Sequence, residues 1–404
     1  MKAEPHVLDE GLRLFFTAAA IHGAIWPVVW VLLYSFGLPF AGEVPTSQWH
    51  AHEMIFGTYG AALAGFLTSA VPEWTNTSRW RGGRLLLALA LWLPGRLAGL
   101  VGADWMVMPA GLADAAFLLL LLLVVAGPMW ARRNRNHASF ALGIVAMLAL
   151  EVGIRFGWLT GNFELSATLL HAALAIFIAL MALATTRINN VVINNALDPS
   201  GETRPYRPHP GRTSLASVMA FIYAAALVAL PTSQATAWLA LAAAAAFLDR
   251  TAEWFIGRAV LRLEVLSLAT ANLLAAAGLA IVGFSGLGLP LGAATGLHAV
   301  SMGALGLAIL AVFSIAGLRH TGRDLLLPLS ARIAMALVFL AALVRVGPEI
   351  GVAGLLFGPH YATASLLWAA GFGVWIAGFL PWLLNPGPPA HGRGAVSTRS
   401  NTAA

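Results

Sequence analysis

The segment 49–57 reads Trp-His-Ala-His-Glu-Met-Ile-Phe-Gly, and it opens an apolar stretch that continues to Val71. It therefore places two imidazoles, a carboxylate and a thioether in a region suited to a membrane interior. Ionisable residues at membrane depth cost free energy and mark functional sites. Neutral imidazole is also the commonest metal ligand. The segment predicts a membrane protein with a metal or haem site.

The two histidines of this segment cannot easily serve one metal together. On a helix, positions 50 and 52 are about 200° apart, so His50 and His52 face roughly opposite ways. Either they serve two sites, or only one of them is a ligand. Glu53 is expected to orient a ligand imidazole through its free N–H, or to relay protons.

The motif recurs later in the chain. His50-Ala51-x-x-Met54 is repeated as His298-Ala299-x-x-Met302, and a shorter version is present around His171. Histidine and methionine at i and i+4 share one helix face. Such a pair suits haem iron or copper. The alternative is that Met54 and Met302 are packing residues, which is the more common role of methionine in a helix bundle.

Composition limits the fold class. Of the 404 residues, 59% are hydrophobic and 10% are charged, whereas a soluble domain carries about 25% charged residues. The sequence predicts an all-α, polytopic membrane helix bundle that forms one integral membrane domain over residues 1–404. There is no cysteine, which excludes thiolate ligands, iron–sulfur clusters held by cysteine and covalent c-type haem. The basic residues are spread over short loops, so nucleic-acid binding is not expected.

A spanning helix needs about 20 mostly apolar residues. Twelve segments meet this condition, and the span at 235–257 is the least typical because it contains three charged residues. The predicted spans are 12–36, 50–71, 84–101, 106–127, 139–158, 165–186, 214–231, 235–257, 260–283, 295–317, 330–347 and 361–384. Residues 187–213 are predicted to be a loop between spans 6 and 7, and residues 385–404 a C-terminal tail.

Arginine distribution predicts the orientation. Arginines follow each even-numbered span, at 79–84, 132–135, 204–212, 258–262, 319–323 and 393–399. The alternate loops 37–49, 102–105, 159–164, 232–234, 284–294 and 348–360 contain no lysine or arginine. By the positive-inside rule, both termini, the loop 187–213 and the tail are cytoplasmic.

This orientation places a set of histidines and arginines near the outer ends of spans. The histidines, at the outer ends of even-numbered spans, are His50, His52, His171, His298 and His360. They are predicted cofactor ligands, or else ordinary interfacial residues. The arginines, near the outer ends of odd-numbered spans, are Arg96, Arg155 and Arg345. They are either helix-end caps or an anion site, for example for haem propionates. Glu151 and Arg155, four residues apart, are expected to form an ion pair.

Several blocks resemble one family. Gly11-Leu12-Arg13-Leu14-Phe15-Phe16 is similar to the family's opening Gly-Phe-Arg-Pro-Phe-Phe. The segments 50–57 and 64–75 resemble its most specific block. The segment 297–299, followed by Arg-His-Thr-Gly-Arg at 319–323, resembles its C-terminal block, and 189–197 its central loop. The family is NnrS, twelve-span bacterial membrane proteins associated with haem, copper and the response to nitric oxide.

The resemblance implies haem and copper as cofactors, nitric oxide as ligand, a redox donor as partner and the bacterial inner membrane as location. Where the family has a Leu-His-x-Gly-Tyr block in span 9, this chain has Leu266-Ser267-Leu268-Ala269-Thr270. One potential histidine ligand is thus absent. The resulting hypothesis is a protein that binds, senses or turns over nitric oxide, or relieves nitrosative stress. The alternative is a membrane transporter, or a cofactor- or metal-handling protein without redox turnover.

The loop arginines generate a test of orientation. A reporter that is active only in the cytoplasm, fused after Ser397, is expected to give signal, because the arginine-rich loops stay on that side. A periplasm-active reporter fused at the same position is expected to be silent. Signal from the periplasmic reporter alone would show that the orientation is the reverse of the predicted one.

Overall fold

The computed structural model describes residues 6–36, 42–132, 137–352 and 360–385. Within these ranges the chain is built from helices joined by short turns, which confirms the predicted all-α class. The α-helices are α1 (Gly11–Phe36), α2 (Thr46–His52), α3 (Gly60–Thr75), α4 (Gly83–Val101), α5 (Val107–Arg132), α6 (Ala138–Leu159), α7 (Phe163–Leu197), α8 (Pro210–Ala229), α9 (Gln234–Asp249), α10 (Leu263–Gly286), α11 (Ala293–His298), α12 (Leu307–His320), α13 (Leu329–Val346) and α14 (His360–Leu384).

Two spans are composite. A π-helical segment, Glu53–Tyr59, joins α2 to α3, and a second one, Ala299–Gly306, joins α11 to α12. We call these continuous rods the second span (Thr46–Thr75) and the tenth span (Ala293–His320). Their starts define the histidine end of the bundle, and the opposite end, which carries Arg79 and Arg319, is the arginine end.

Among the described residues, eleven helices are long and apolar enough to cross a membrane. The exception is α9, with 16 residues, or about 24 Å. The predicted span 235–257 therefore ends early, at Asp249, and continues as two 3-10 turns. The charged residues explain this ending. Arg250 is buried and donates to Thr186 Oγ1 at 3.1 Å, and Glu253 accepts from the Tyr206 hydroxyl.

The predicted loop 187–213 is shorter than expected. Helix α7 continues to Leu197 because Asn189, Val192 and Ile193 are buried along its inner face, and α8 begins at Pro210. The intervening turn is held by Asp198, whose carboxylate accepts hydrogen bonds from Ser200 and Thr203. Those donors lower the pKa of Asp198. Except for Asn385, the predicted tail lies outside the described residues.

The helices pack mainly on their neighbours in sequence, and the first helix closes on the last, since α1 lies along α14. At the arginine end, Arg13 Nη1 donates to the Leu383 carbonyl at 2.7 Å. His320 Nδ1 and Glu10 Oε1 are 2.8 Å apart, which ties the tenth span to the N-terminus. This closure gives the bundle an interior bounded by α1, the second span, α7 and the tenth span.

Large aromatic side chains stand exposed at both ends of α5. Trp105 is 75% exposed at the histidine end and Trp130 is 89% exposed at the arginine end. Tryptophan is enriched at both membrane–water interfaces. The two residues therefore mark the levels at which the bundle meets the lipid headgroups.

Candidate functional site

A cavity of about 340 Å³ lies at the histidine end, between α1, α7, α13, α14 and the second and tenth spans. Its volume falls within the range of ligand pockets, about 300–1,000 Å³. The histidines and methionines that line it are His50, His171, His298, Met54 and Met302. Each His/Met pair at i and i+4 thus faces one space, as predicted. We call this space the histidine cavity.

Both full copies of the repeated motif lead into a π-helical segment, but at different offsets from the histidine. His298 is the last residue of α11, and the π-helical segment starts at Ala299. In the second span the π-helical segment starts at Glu53, three residues after His50. The shorter copy, around His171, stays α-helical within α7. Turns of π-helix are rare and occur frequently at functional sites. The two π-helical segments therefore indicate that this part of the cavity wall belongs to a functional site.

The hydrogen bond of His298 fixes its tautomer. His298 Nδ1 lies 2.7 Å from the Ala294 carbonyl oxygen, which can only accept, so Nδ1 carries the proton. In the neutral ring, Nε2 then keeps a free lone pair. A histidine that ligates a metal typically donates its other nitrogen in this way. His298 is therefore prepared as a ligand.

Three buried polar atoms in the cavity wall have no hydrogen-bond partner: His50 Nδ1, Trp30 Nε1 and Ser365 Oγ. The rings of Trp30 and His50 pack with centroids 4.6 Å apart. Buried polar groups in native proteins are usually paired, so these atoms point to a bound molecule that supplies their partners.

The rim of the cavity carries one ion pair. The Arg345 guanidinium bonds the Glu349 carboxylate and lies over the Tyr361 ring, 4.3 Å from its centroid. Glu349 also accepts from Thr295 Oγ1 at 2.5 Å. His360 stands beside this pair, with Nε2 3.8 Å from Glu349 Oε1, and does not line the cavity itself.

Beside the cavity, six buried side chains form a closed ring of alternating charge. Arg96 Nε lies 2.6 Å from Glu53 Oε2, and Arg96 Nη2 donates to Asp114 at 3.1 Å. Arg155 donates from Nη2 to Asp114 at 2.8 Å and from Nε to Glu151 at 2.7 Å. His52 closes the ring, with Nε2 2.8 Å from Glu151 and Nδ1 3.1 Å from Glu53. We call this the ion ring; its members are Glu53, Arg96, Asp114, Arg155, Glu151 and His52.

The protonation state of His52 follows from its neighbours. Both of its ring nitrogens face carboxylate oxygens, and Nε2 also lies 3.2 Å from Arg155 Nη2; because the carboxylate contact of Nε2 is the shorter one, we assign His52 as an imidazolium that donates on both sides. With His52 charged, the ion ring holds three anions and three cations. Charge neutrality matters because each unpaired buried ion costs several kcal/mol.

Glycines make room for the ring. A Cβ at Gly99 would lie 2.8 Å from Glu53 Cδ, and a Cβ at Gly111 would lie 2.8 Å from Arg155 Cγ. Both distances are far inside van der Waals contact. These two residues let α4 and α5 approach the charges without a side chain in between.

The structure places several predicted site residues in the ion ring and away from the histidine cavity. Arg96, Arg155, His52 and Glu53 were predicted to bind or orient a cofactor, but none of them lines the histidine cavity. The carboxylates of the ring pair the charge of both guanidiniums, while Arg96 Nη1 and Arg155 Nη1 have no hydrogen-bond partner. The expected Glu151–Arg155 ion pair is confirmed, and the opposite facing of His50 and His52 is confirmed as well.

The sequence analysis missed one member of the ion ring, Asp114, and one residue beside it, His22. Asp114 lies in the middle of an apolar span, and its charge at that depth was a usable signal. His22 was left without a role. Its Nε2 lies 3.3 Å from Glu53 Oε2 and its Nδ1 lies 2.9 Å from Thr58 Oγ1, so it extends the ring toward α1.

Two groups of three or more His, Asp or Glu among the described residues have ligand atoms within 4.8 Å of one another. They are Glu10, Glu73 and His320, and His52, Asp114 and Glu151. In the second group the guanidiniums already neutralise the carboxylates, so it does not suit a cation. The three cavity histidines form no such group, and they fit a ligand larger than one bare ion.

The ion ring generates a stability prediction. Asp114→Ala leaves two buried guanidiniums without their shared anion and is expected to cost about 3–5 kcal/mol. The matched control is Asp249→Ala, which breaks an exposed pair with Arg212 at 3.5 Å and should cost about 0–1 kcal/mol. Denaturant unfolding of the purified protein in detergent measures both. Equal losses of unfolding free energy in the two variants would contradict the structural role of the ion ring.

Comparison with known proteins places this geometry in a family. No curated protein matches the chain. The family model described as NnrS protein matches residues 6–386, a range that contains the histidine cavity and the whole ion ring. Because the match covers nearly the whole chain, this polytopic membrane protein belongs to the NnrS family.

Proposed function

We propose that the histidine cavity binds haem and that the protein binds, senses or turns over nitric oxide there. The observation that carries the proposal is the prepared lone pair of His298 Nε2, facing a mostly apolar cavity that His50 and His171 also line. The family name supports the link to nitric oxide. Bound haem supplies an iron atom that takes a diatomic gas as a ligand.

The cavity wall fits such a group at both its apolar and its polar parts. Ile55, Leu174, Leu297 and Trp368 offer apolar surface for a macrocycle. The unpartnered Trp30 Nε1 and Ser365 Oγ are donors that suit carboxylate groups. Arg345 adds a cation at the rim and is the one predicted propionate partner that lines the cavity. The propionate role of Arg96 and Arg155 is not retained.

The chain's own residues would do three things. His298 would hold the cofactor through Nε2, with its ring oriented by the Ala294 carbonyl. The apolar wall would exclude water and so favour a weakly polar ligand. The neutral ion ring would fix the second span, and with it the direction in which His50 faces the cavity.

We propose copper as a second cofactor, on the two thioethers of the cavity and not on a cluster of its histidines. Met54 and Met302 line the cavity with thioethers, which are soft ligands that select copper(I). We include copper in the proposal on the chemistry of these donors, with His50 and His171 as the accompanying imidazoles.

The histidines give a ligand test. His298→Ala and His50→Ala are expected to lower haem retention or change its spin state in the optical spectrum, because each removes a cavity imidazole. His209→Ala, on the turn before α8, is the control and should keep the haem signal. A colourless preparation of the unmodified protein would favour the transporter or cofactor-handling alternative. Full haem retention in the His50, His171 and His298 single variants would falsify the ligand assignment.

Arg345 gives a second test of the cofactor. Arg345→Lys keeps the charge but loses the planar fork that pairs with carboxylates, so haem should dissociate faster. Transfer of haem to an excess of apomyoglobin measures this rate. Arg332→Lys is the control, because Arg332 caps a turn through the Leu327 carbonyl far from the cavity. Equal transfer rates for both variants would remove Arg345 from the site.

A further inference from the structure

Three cavities follow one another through the bundle. Below the histidine cavity lies a middle cavity of about 70 Å³, and below that a cavity of about 180 Å³ at the arginine end. Tyr59 lines both the histidine cavity and the middle cavity. Phe16 and Phe66 line both the middle and the arginine-end cavity. Neighbouring cavities therefore meet at shared aromatic side chains.

The same three helical rods line the whole row, in register. In the second span the lining residues include, in order, His50, Met54, Ala62, Phe66, Ser69 and Glu73. Their spacing of three, four and eight residues keeps them on one helix face. From His50 to Glu73 the rod covers about 35 Å, against about 30 Å for the hydrocarbon core of a bilayer.

The other two rods follow the same order. Helix α7 contributes His171, then Leu180, then Val191, and the tenth span contributes His298, then Ala308, then Arg319. These are the three spans that carry the repeated histidine motif. The row is thus an axial feature of the bundle that its three related spans line from end to end, and not three unrelated packing defects.

The middle cavity accepts only weakly polar molecules. Of its lining side chains, only Tyr59 and Thr185 carry a hydroxyl. The Tyr59 hydroxyl donates to the Ser301 carbonyl at 2.8 Å, and Thr185 Oγ1 donates to the Met181 carbonyl at 2.8 Å. Neither has a proton left to offer a solute. An ion or a strongly polar solute would lose its hydration without replacement.

Each boundary of the middle cavity is a side chain with a defined contact. The hydrogen bond from Tyr59 to Ser301 joins the two π-helical segments at the upper boundary. At the lower boundary, Phe16 stacks on Phe313 with centroids 4.1 Å apart. Rotation of these rings would connect neighbouring cavities without any movement of the helices.

We infer that this row of cavities is a passage for small, uncharged, weakly polar molecules the size of a diatomic gas. It connects the arginine end of the bundle to the histidine cavity. Tyr59 and the Phe16–Phe313 stack are its two gates. The inference deepens the proposed function, because nitric oxide belongs to this chemical class, but the passage is defined by the cavities and not by the cofactor.

Xenon tests the passage without any need for haem, since dry apolar cavities bind it. Crystals pressurised with xenon are expected to show xenon density in the middle cavity. Ala308→Trp fills that cavity and should remove the density, while Leu180→Ala enlarges it and should increase occupancy. The matched control is Ala225→Trp, at an exposed position on α8, which should leave the density unchanged.

Absence of xenon from the middle cavity in both the unmodified protein and Leu180→Ala would overturn the inference. Bromide soaks test the rival, an ion-conducting path. Bromide density in the middle cavity would also overturn the inference, because the proposed lining excludes ions.

A kinetic arm then tests delivery in the haem-loaded protein. Ala308→Trp should slow nitric oxide association several-fold at unchanged haem content, while Ala225→Trp should not. An unchanged rate in a correctly folded Ala308→Trp protein overturns the passage. If the protein holds no haem, the proposed function is wrong, but the inference about the passage is not affected. The xenon result still decides whether the row of cavities admits an apolar molecule.

Discussion

The need to pair every charge inside a membrane organises the N-terminal half of this bundle. The ion ring draws one or more members from each of the second span, α4, α5 and α6, and His22 adds α1. Removing any one member leaves a buried charge uncompensated, at a cost of several kcal/mol. The distances between the charged groups of the ring therefore constrain the relative positions of five membrane segments. The face of the second span that points away from the ring points into the cavity.

The second span shows how one short motif serves two environments. His52 is turned toward the ring, where both of its nitrogens are used, and His50 is turned toward the cavity, where its Nδ1 has no partner. The π-helical segment follows directly and brings Tyr59 to Ser301 of the matching segment in the tenth span. The repeat in sequence is thus a repeat in architecture, with the tenth span contributing a histidine to the cavity wall but no charge to the ring.

The sequence was informative about periodic and compositional features and less so about partners across the bundle. Hydropathy located the spans, and helix geometry correctly separated His50 from His52. The predicted C-terminal ends of α7 and α9 were wrong. Helix α7 is longer than predicted because Asn189 is buried along it, and α9 is shorter because Arg250 bonds Thr186 and Glu253 bonds Tyr206. Arg96 and Arg155 were left as either helix-end caps or an anion site, because their partner Asp114 lies on another helix and a single sequence carries no information on which distant charges meet.

Electrostatic neutrality connects the ring, the cavity and the passage. With His52 as an imidazolium the ring contributes no net charge, and at the rim Arg345 is balanced by Glu349. The charges on either side of the cavity are therefore paired with one another. Strongly hydrated ions lose much of their hydration free energy on entering the apolar cavity. A neutral diatomic molecule carries little hydration to lose, so charge pairing within the bundle is consistent with the class of ligand that we propose for the histidine cavity.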